Sequence, residues 1–107
     1  MQIHNHYTQQ KLILDERLLS TLQELGIIET KAEFSQMCGK NDSYYGCMKA
    51  RGYGIHLGSL VFLTAKLSQQ MDTEQNVRER ARLRSAIEAI NSTIHEKCRL
   101  RELELLS

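Results

Sequence analysis

Between Lys31 and Lys66 the chain places five bases, Lys31, Lys40, Lys49, Arg51 and Lys66, against two acids, Glu33 and Asp42. Five minus two leaves +3 in the middle of a protein whose formal net charge is +1. Ammonium and guanidinium groups gathered on one stretch neutralise phosphates well, and local positive charge is the footprint of a nucleic-acid surface. A solvated helical face produces a similar count, so the charge alone leaves both readings open.

The other reactive side chains do not assemble into a site. Cys38, Cys47 and Cys98 are odd in number, and no two have the C-x-x-C spacing of a zinc knuckle or thiol redox centre. They read as free thiols. Cys47 is more simply a small filler than a redox switch. His4 and His6 have the H-x-H spacing of a metal pair, but no further ligands accompany them and a frayed terminus is the simpler reading. A Gly-rich phosphate loop, a nucleophile elbow and an H-E-x-x-H helix are all missing from the sequence. The pattern predicts a protein that is not an enzyme and uses no cofactor and no metal. The longest apolar run, Leu60 to Leu63, is far short of the roughly 20 residues of a membrane span. The opening MQIHNHYTQQ lacks the basic flank and apolar stretch of a signal peptide. A cytoplasmic protein with no membrane partner is the expectation.

The elements that would carry these residues are helical. At 107 residues, with 41% hydrophobic and 25% charged, the chain is long enough for one small domain and too apolar for disorder. Its lack of proline leaves helices uninterrupted. Leu12, Ile13, Leu18, Leu19, Leu22 and Leu25 recur at helical spacing from about Gln10, and Gly26 stops that helix. Thr30 and Glu33 form a capping-box pattern, Phe34 and Met37 or Cys38 make an apolar face, and Gly39 permits a sharp turn. Asn41 is the next cap candidate, with Tyr45 and Met48 facing inward and Tyr44 at the surface. Gly52 and Gly54 end that helix, and Leu57, Leu60, Val61, Leu63 and Leu67 mark a fourth. Polar residues 68–72 are the expected boundary between units 1–72 and 73–107. Beyond it Leu83, Ile87, Ile90, Ile94 and Cys98 form a stripe close to a heptad seam. Packing on a second chain and packing back on the domain both satisfy it, and dimerisation is preferred. Arg78, Arg80, Arg82 and Arg84 read as a solvated helix start.

Two short helices joined by a glycine turn, about Thr30 to Arg51, make a helix-turn-helix pattern. The segment TKAEFSQMCGKN, residues 30–41, resembles the helix-turn-helix of lambdoid phage repressor and Cro proteins. The flanks LLSTLQELGI and HLGSLVFLTAKL resemble that family's first and fourth helices, so the resemblance covers about residues 12–67. It implies an all-α, four- or five-helix DNA-binding domain, with the long C-terminal helix added for dimerisation. It also implies roles. Asp42, Ser43, Tyr44 and Cys47 match the base-facing positions of a recognition helix at about 42–51. Lys31, Lys40, Lys49, Arg51 and Tyr53 match positions that touch DNA phosphate. The base-facing set lacks the Arg, Gln or Asn that reads bases in bidentate fashion, which leaves more to Arg51 and DNA shape.

The function these features predict is a sequence-specific regulator of transcription. It would be a homodimeric repressor of the kind carried by phages or plasmids, bound to a palindromic double-stranded DNA operator. Two alternatives remain. One is a DNA-binding antitoxin whose C-terminal helix holds a toxin. The other is a helical protein-interaction module that does not bind DNA.

Overall fold

The computed structural model describes residues 6–106, and every regular element among them is a helix. In chain order these are α1 (His6–Glu24), α2 (Lys31–Met37), α3 (Tyr44–Ala50), α4 (Leu57–Thr73) and α5 (Val77–Leu106). His4 and the side chain of His6 lie outside the described residues. No helix is long and apolar enough to cross a membrane.

The longest dimension of the molecule, 49 Å, is set by α5, whose 30 residues span about 45 Å at 1.5 Å each. Both α1 and α4 lie along it. One core joins Leu18, Leu19 and Leu22 of α1, Leu60, Leu63 and Leu67 of α4, and Leu83, Ala86 and Ile90 of α5. The α2–α3 unit closes that core with Phe34 and Tyr45, whose rings meet edge to face at 6.0 Å.

This packing differs from the sequence expectation in two ways. First, the segment around residue 72 is not a domain border. Helix α4 continues to Thr73, the chain turns over three residues, and α5 packs back on α1 and α4. Second, the stripe assigned to a dimer is turned largely inward. Leu83 and Ile90 are buried in their own chain, Ile87 and Ile94 are half-buried, and Cys98 is exposed. The buried face of α5 is instead Leu83, Ala86, Ile90, Thr93, Lys97 and Leu100. It alternates steps of three and four, the period of a seam. Its small and polar members, Ala86, Thr93 and Lys97, hide it from a search for apolar residues.

The arginines at the start of α5 also have structural partners. Arg80 donates to the carbonyls of Met71 and Glu74 at the end of α4. Arg82 donates to those of Leu25 and Gly26 at the end of α1, and it pairs with Glu79. A cation on the carbonyl end of a helix satisfies orphan acceptors and complements the helix dipole. The start of α5 therefore fastens the ends of both helices it packs against.

Candidate nucleic-acid interface

Local chemistry builds the α2–α3 unit. Thr30 Oγ1 accepts from the Glu33 amide, as a capping box requires, and the Glu33 carboxylate accepts from the Glu29 amide. At the other end Gly39 takes φ +78°, and Lys40 N–H returns to Ser35 O, closing the helix in a Schellman turn. Ser35 is buried between the two helices. Its hydroxyl donates to Lys31 O and accepts from Tyr45 N–H, so α3 is tied to α2 through its backbone. The first turn of α3 is organised by Asn41, whose side chain accepts from both Ser43 N–H and Ser43 Oγ. Ser43 itself occupies the cap position expected for Asn41.

Helix α3 is anchored along one side only. Tyr45 and Met48 enter the core, while Gly46, Cys47, Lys49 and Ala50 are exposed, as are Asp42 and Ser43 before the helix and Arg51 after it. Lys40, Ser43, Tyr44, Cys47 and Arg51 line a shallow depression of about 200 Å³ on this side. Gly46 lies in the middle of the exposed face, and a Cβ there would meet nothing within 4 Å. The fold therefore gives no packing reason for a glycine at a position where it weakens a helix.

The expected DNA-contacting residues fall into distinct environments. Ser43 and Cys47 are exposed on the open side of α3. Asp42 is exposed as well, with Gln36 Nε2 donating to its Oδ1 at 2.7 Å. Tyr44 departs from the base-facing role. Its hydroxyl accepts from His56 N–H at 3.1 Å and shares a hydrogen bond with Ser59 Oγ at 3.0 Å, so its polar tip is turned to the start of α4. Lys31 lies over the Tyr45 ring, on the anchored side of α3, and Lys40 over the Tyr44 ring. Lys49 pairs with Glu16 of α1 at 2.7 Å, and this hydrogen bond and charge hold the Glu16 carboxyl below its usual range. Arg51 and Tyr53 are exposed past the end of α3.

One cluster beside this face has no counterpart in the sequence reading. Asp15 of α1 and Lys97 of α5 are 1% and 5% exposed and form an ion pair at 2.6 Å. The second carboxylate oxygen of Asp15 accepts from Ile55 N–H, and Lys97 Nζ also donates to Ile55 O. Both backbone groups of this non-helical, buried residue are thereby satisfied. Gly54 next to it has φ +72°, and a Cβ there would stand 2.7 Å from Asp15 Oδ2, so the loop crosses the pair where only glycine fits. Burial pushes the Asp15 carboxyl up and the Lys97 ammonium down, while the charge of each partner pulls the other back. The available signal was Gly54: Gly52 takes φ +74° and closes α3 through Gly52 N–H to Lys49 O and Tyr53 N–H to Met48 O, a local reason that leaves the second glycine without one. Among the described residues no group of three or more His, Cys, Asp or Glu gathers as a metal site.

Together these features define an all-helical protein that presents one open face of a short helix at the rim of its core. The chain belongs to a family of unknown function, DUF6626, whose family model matches residues 16–104. That match runs from inside α1 to inside α5. No curated protein and no solved structure matches the chain.

Proposed function

We propose that the protein is a sequence-specific DNA-binding regulator of transcription, a repressor whose helix-turn-helix is α2 and α3. The observation that carries this reading is the one-sided anchoring of α3. Tyr45 and Met48 hold it to the core while Asp42, Ser43, Gly46, Cys47 and Arg51 are exposed, with the cation Lys40 lining the same depression. A helix held this way can enter a major groove, and an unhindered glycine lets its backbone come close to the duplex. Ser43, Cys47 and Asp42 are the base-edge candidates. Lys31, Lys40, Arg51 and Tyr53 are the phosphate candidates, and Lys49 joins them by exchanging Glu16 for a phosphate. Two copies on an inverted repeat would exclude polymerase. The parts of the α5 stripe open to a second chain are Ile87, Ile94 and Cys98.

The test is anisotropy of labelled duplexes selected from a random pool, measured across a salt series. Binding should weaken linearly in log affinity against log salt. Lys31→Ala should reduce that slope by about one unit. Gly46→Glu puts a carboxylate on the open face without touching the fold and should abolish binding while leaving the melting curve intact. No duplex binding at low salt overturns the proposal.

A protein-interaction module is the second reading, favoured by the apolar side of α4. Leu57, Val61 and Phe62 are exposed there, Phe62 at 50%. Failure of every duplex, with cross-linking of a protein partner to α4, selects this reading.

A further inference from the structure

We infer that Asp15 and Lys97 are positioning residues for the exposed face of α3, through which the long helix α5 governs that face. This rests on the reading of α3 as the DNA-facing helix. A buried ion pair is a weak device for stability, because removing two charges from water offsets most of their attraction. What this pair does beyond filling space is fix a loop. The Asp15 carboxylate takes Ile55 N–H at 2.8 Å and the Lys97 ammonium takes Ile55 O at 2.6 Å, so the residue is gripped on both sides of its backbone.

From Ile55 the grip reaches α3 in both directions. Toward the N-terminus, Gly54 and Tyr53 lead to Arg51, and Tyr53 N–H returns to Met48 O inside α3. Toward the C-terminus, the next residue is His56, whose N–H holds the Tyr44 hydroxyl at the first turn of α3. A third link starts beside Asp15, where Glu16 holds Lys49. Both ends of α3 are thus referred to one point, and one half of that point belongs to α5. A shift of α5 that withdraws Lys97 would release Ile55 and let both ends of α3 move relative to the α1–α4 core.

The experiment joins residue-resolved amide exchange with DNA binding. In the unaltered full chain, the Ile55 amide should exchange within about tenfold of core amides such as Leu63 and Ile90, since opening it requires breaking the pair. Exchange at the rate of an unstructured peptide overturns the grip. Lys97→Met should weaken DNA binding at least about fivefold, the scale of a typical coupling. The salt slope should stay unchanged, because no phosphate contact is lost. Amide shifts should concentrate in residues 44–56, and Lys97→Arg should restore part of the affinity. Gly54→Ala keeps both charges but presses the loop off the pair, and it covers the case in which Lys97→Met does not fold. Folded variants that bind DNA like the parent overturn the positioning role. If the parent itself binds no DNA, the reading of α3 fails, and the exchange and shift patterns still decide whether the pair grips the loop.

Discussion

Ending the chain after Glu74 removes α5 and leaves α1 to α4, the unit that the spacing of residues 12–67 suggests could stand alone. The structure predicts that it cannot. Leu83, Ile90 and Leu100 are each below 5% exposed and sit against the first and fourth helices. Burying one such side chain contributes roughly 1.5–3 kcal/mol. Their loss also uncovers Leu18, Leu22, Leu60, Leu63 and Leu67, which are fully buried in the intact chain. A protein of this size has a net stability of roughly 5–15 kcal/mol, so the three α5 side chains alone account for a large share of it. Asp15 loses its ionic partner, and Arg82 no longer satisfies the carbonyls that end α1. The expected outcome is a chain with reduced far-UV helicity and no cooperative urea transition. A truncated chain with native helicity per residue and a sharp urea midpoint would refute the single-core reasoning.

Further outcomes follow from particular side chains. Gly54→Ala should cost roughly 1–3 kcal/mol from its backbone conformation alone, with the clash at Asp15 in addition, whereas Gly46→Ala should stabilise by about 0.5–1 kcal/mol; equal urea midpoints for the two would contradict the geometry. Arg82→Ala should lower stability by about 1–2 kcal/mol through the freed α1 carbonyls, read as a drop in Tm, and an unchanged Tm would make the cap ornamental. Among the thiols, Cys47 and Cys98 should react with an aromatic disulfide in the folded state, while Cys38, buried and pushed up to about 12, should not. The unfolded Cys38 thiol loses its proton near its ordinary value of 9.0 and the folded one only near 12, so its contribution is complete below pH 9 and fades as pH rises toward 12. The stability advantage over Cys38→Ala should narrow across that window, and a constant advantage would count against burial as the cause.

Much of the fold was legible because it rests on short-range rules. The Thr30 cap, the Gly39 turn and the inward Phe34, Tyr45 and Met48 follow from residue type and a spacing of three or four. The position of α5 was not legible for the opposite reason. Its buried face mixes Leu83 and Ile90 with Ala86, Thr93 and Lys97, and a charged residue on a helix reads as solvent-facing until its partner is known. That partner, Asp15, is 82 residues away. The site shows the same division. The exposure of Ser43 and Cys47 follows from helix phase, but the tie from Tyr44 to His56 and Ser59 depends on how α4 approaches. The arginines that alternate at the start of α5 look unorganised on one helix. They acquire an arrangement only when the ends of two other helices are set beside them.

The fastening of α1 by Arg82 has a consequence for the making of the protein. A chain grows from its N-terminus, so α1 and α4 are complete before α5 exists. Until then the carbonyls of Leu25 and Gly26 lack their cation, and the leucine faces of both helices lack their cover. At ordinary elongation rates the 30 residues of α5 take roughly 2–6 s to add. Through that interval the nascent chain is a set of sticky helices awaiting closure, at its most exposed to aggregation and to chaperones. Synonymous changes that slow translation within α5 should therefore lower soluble yield more than the same changes placed within α2.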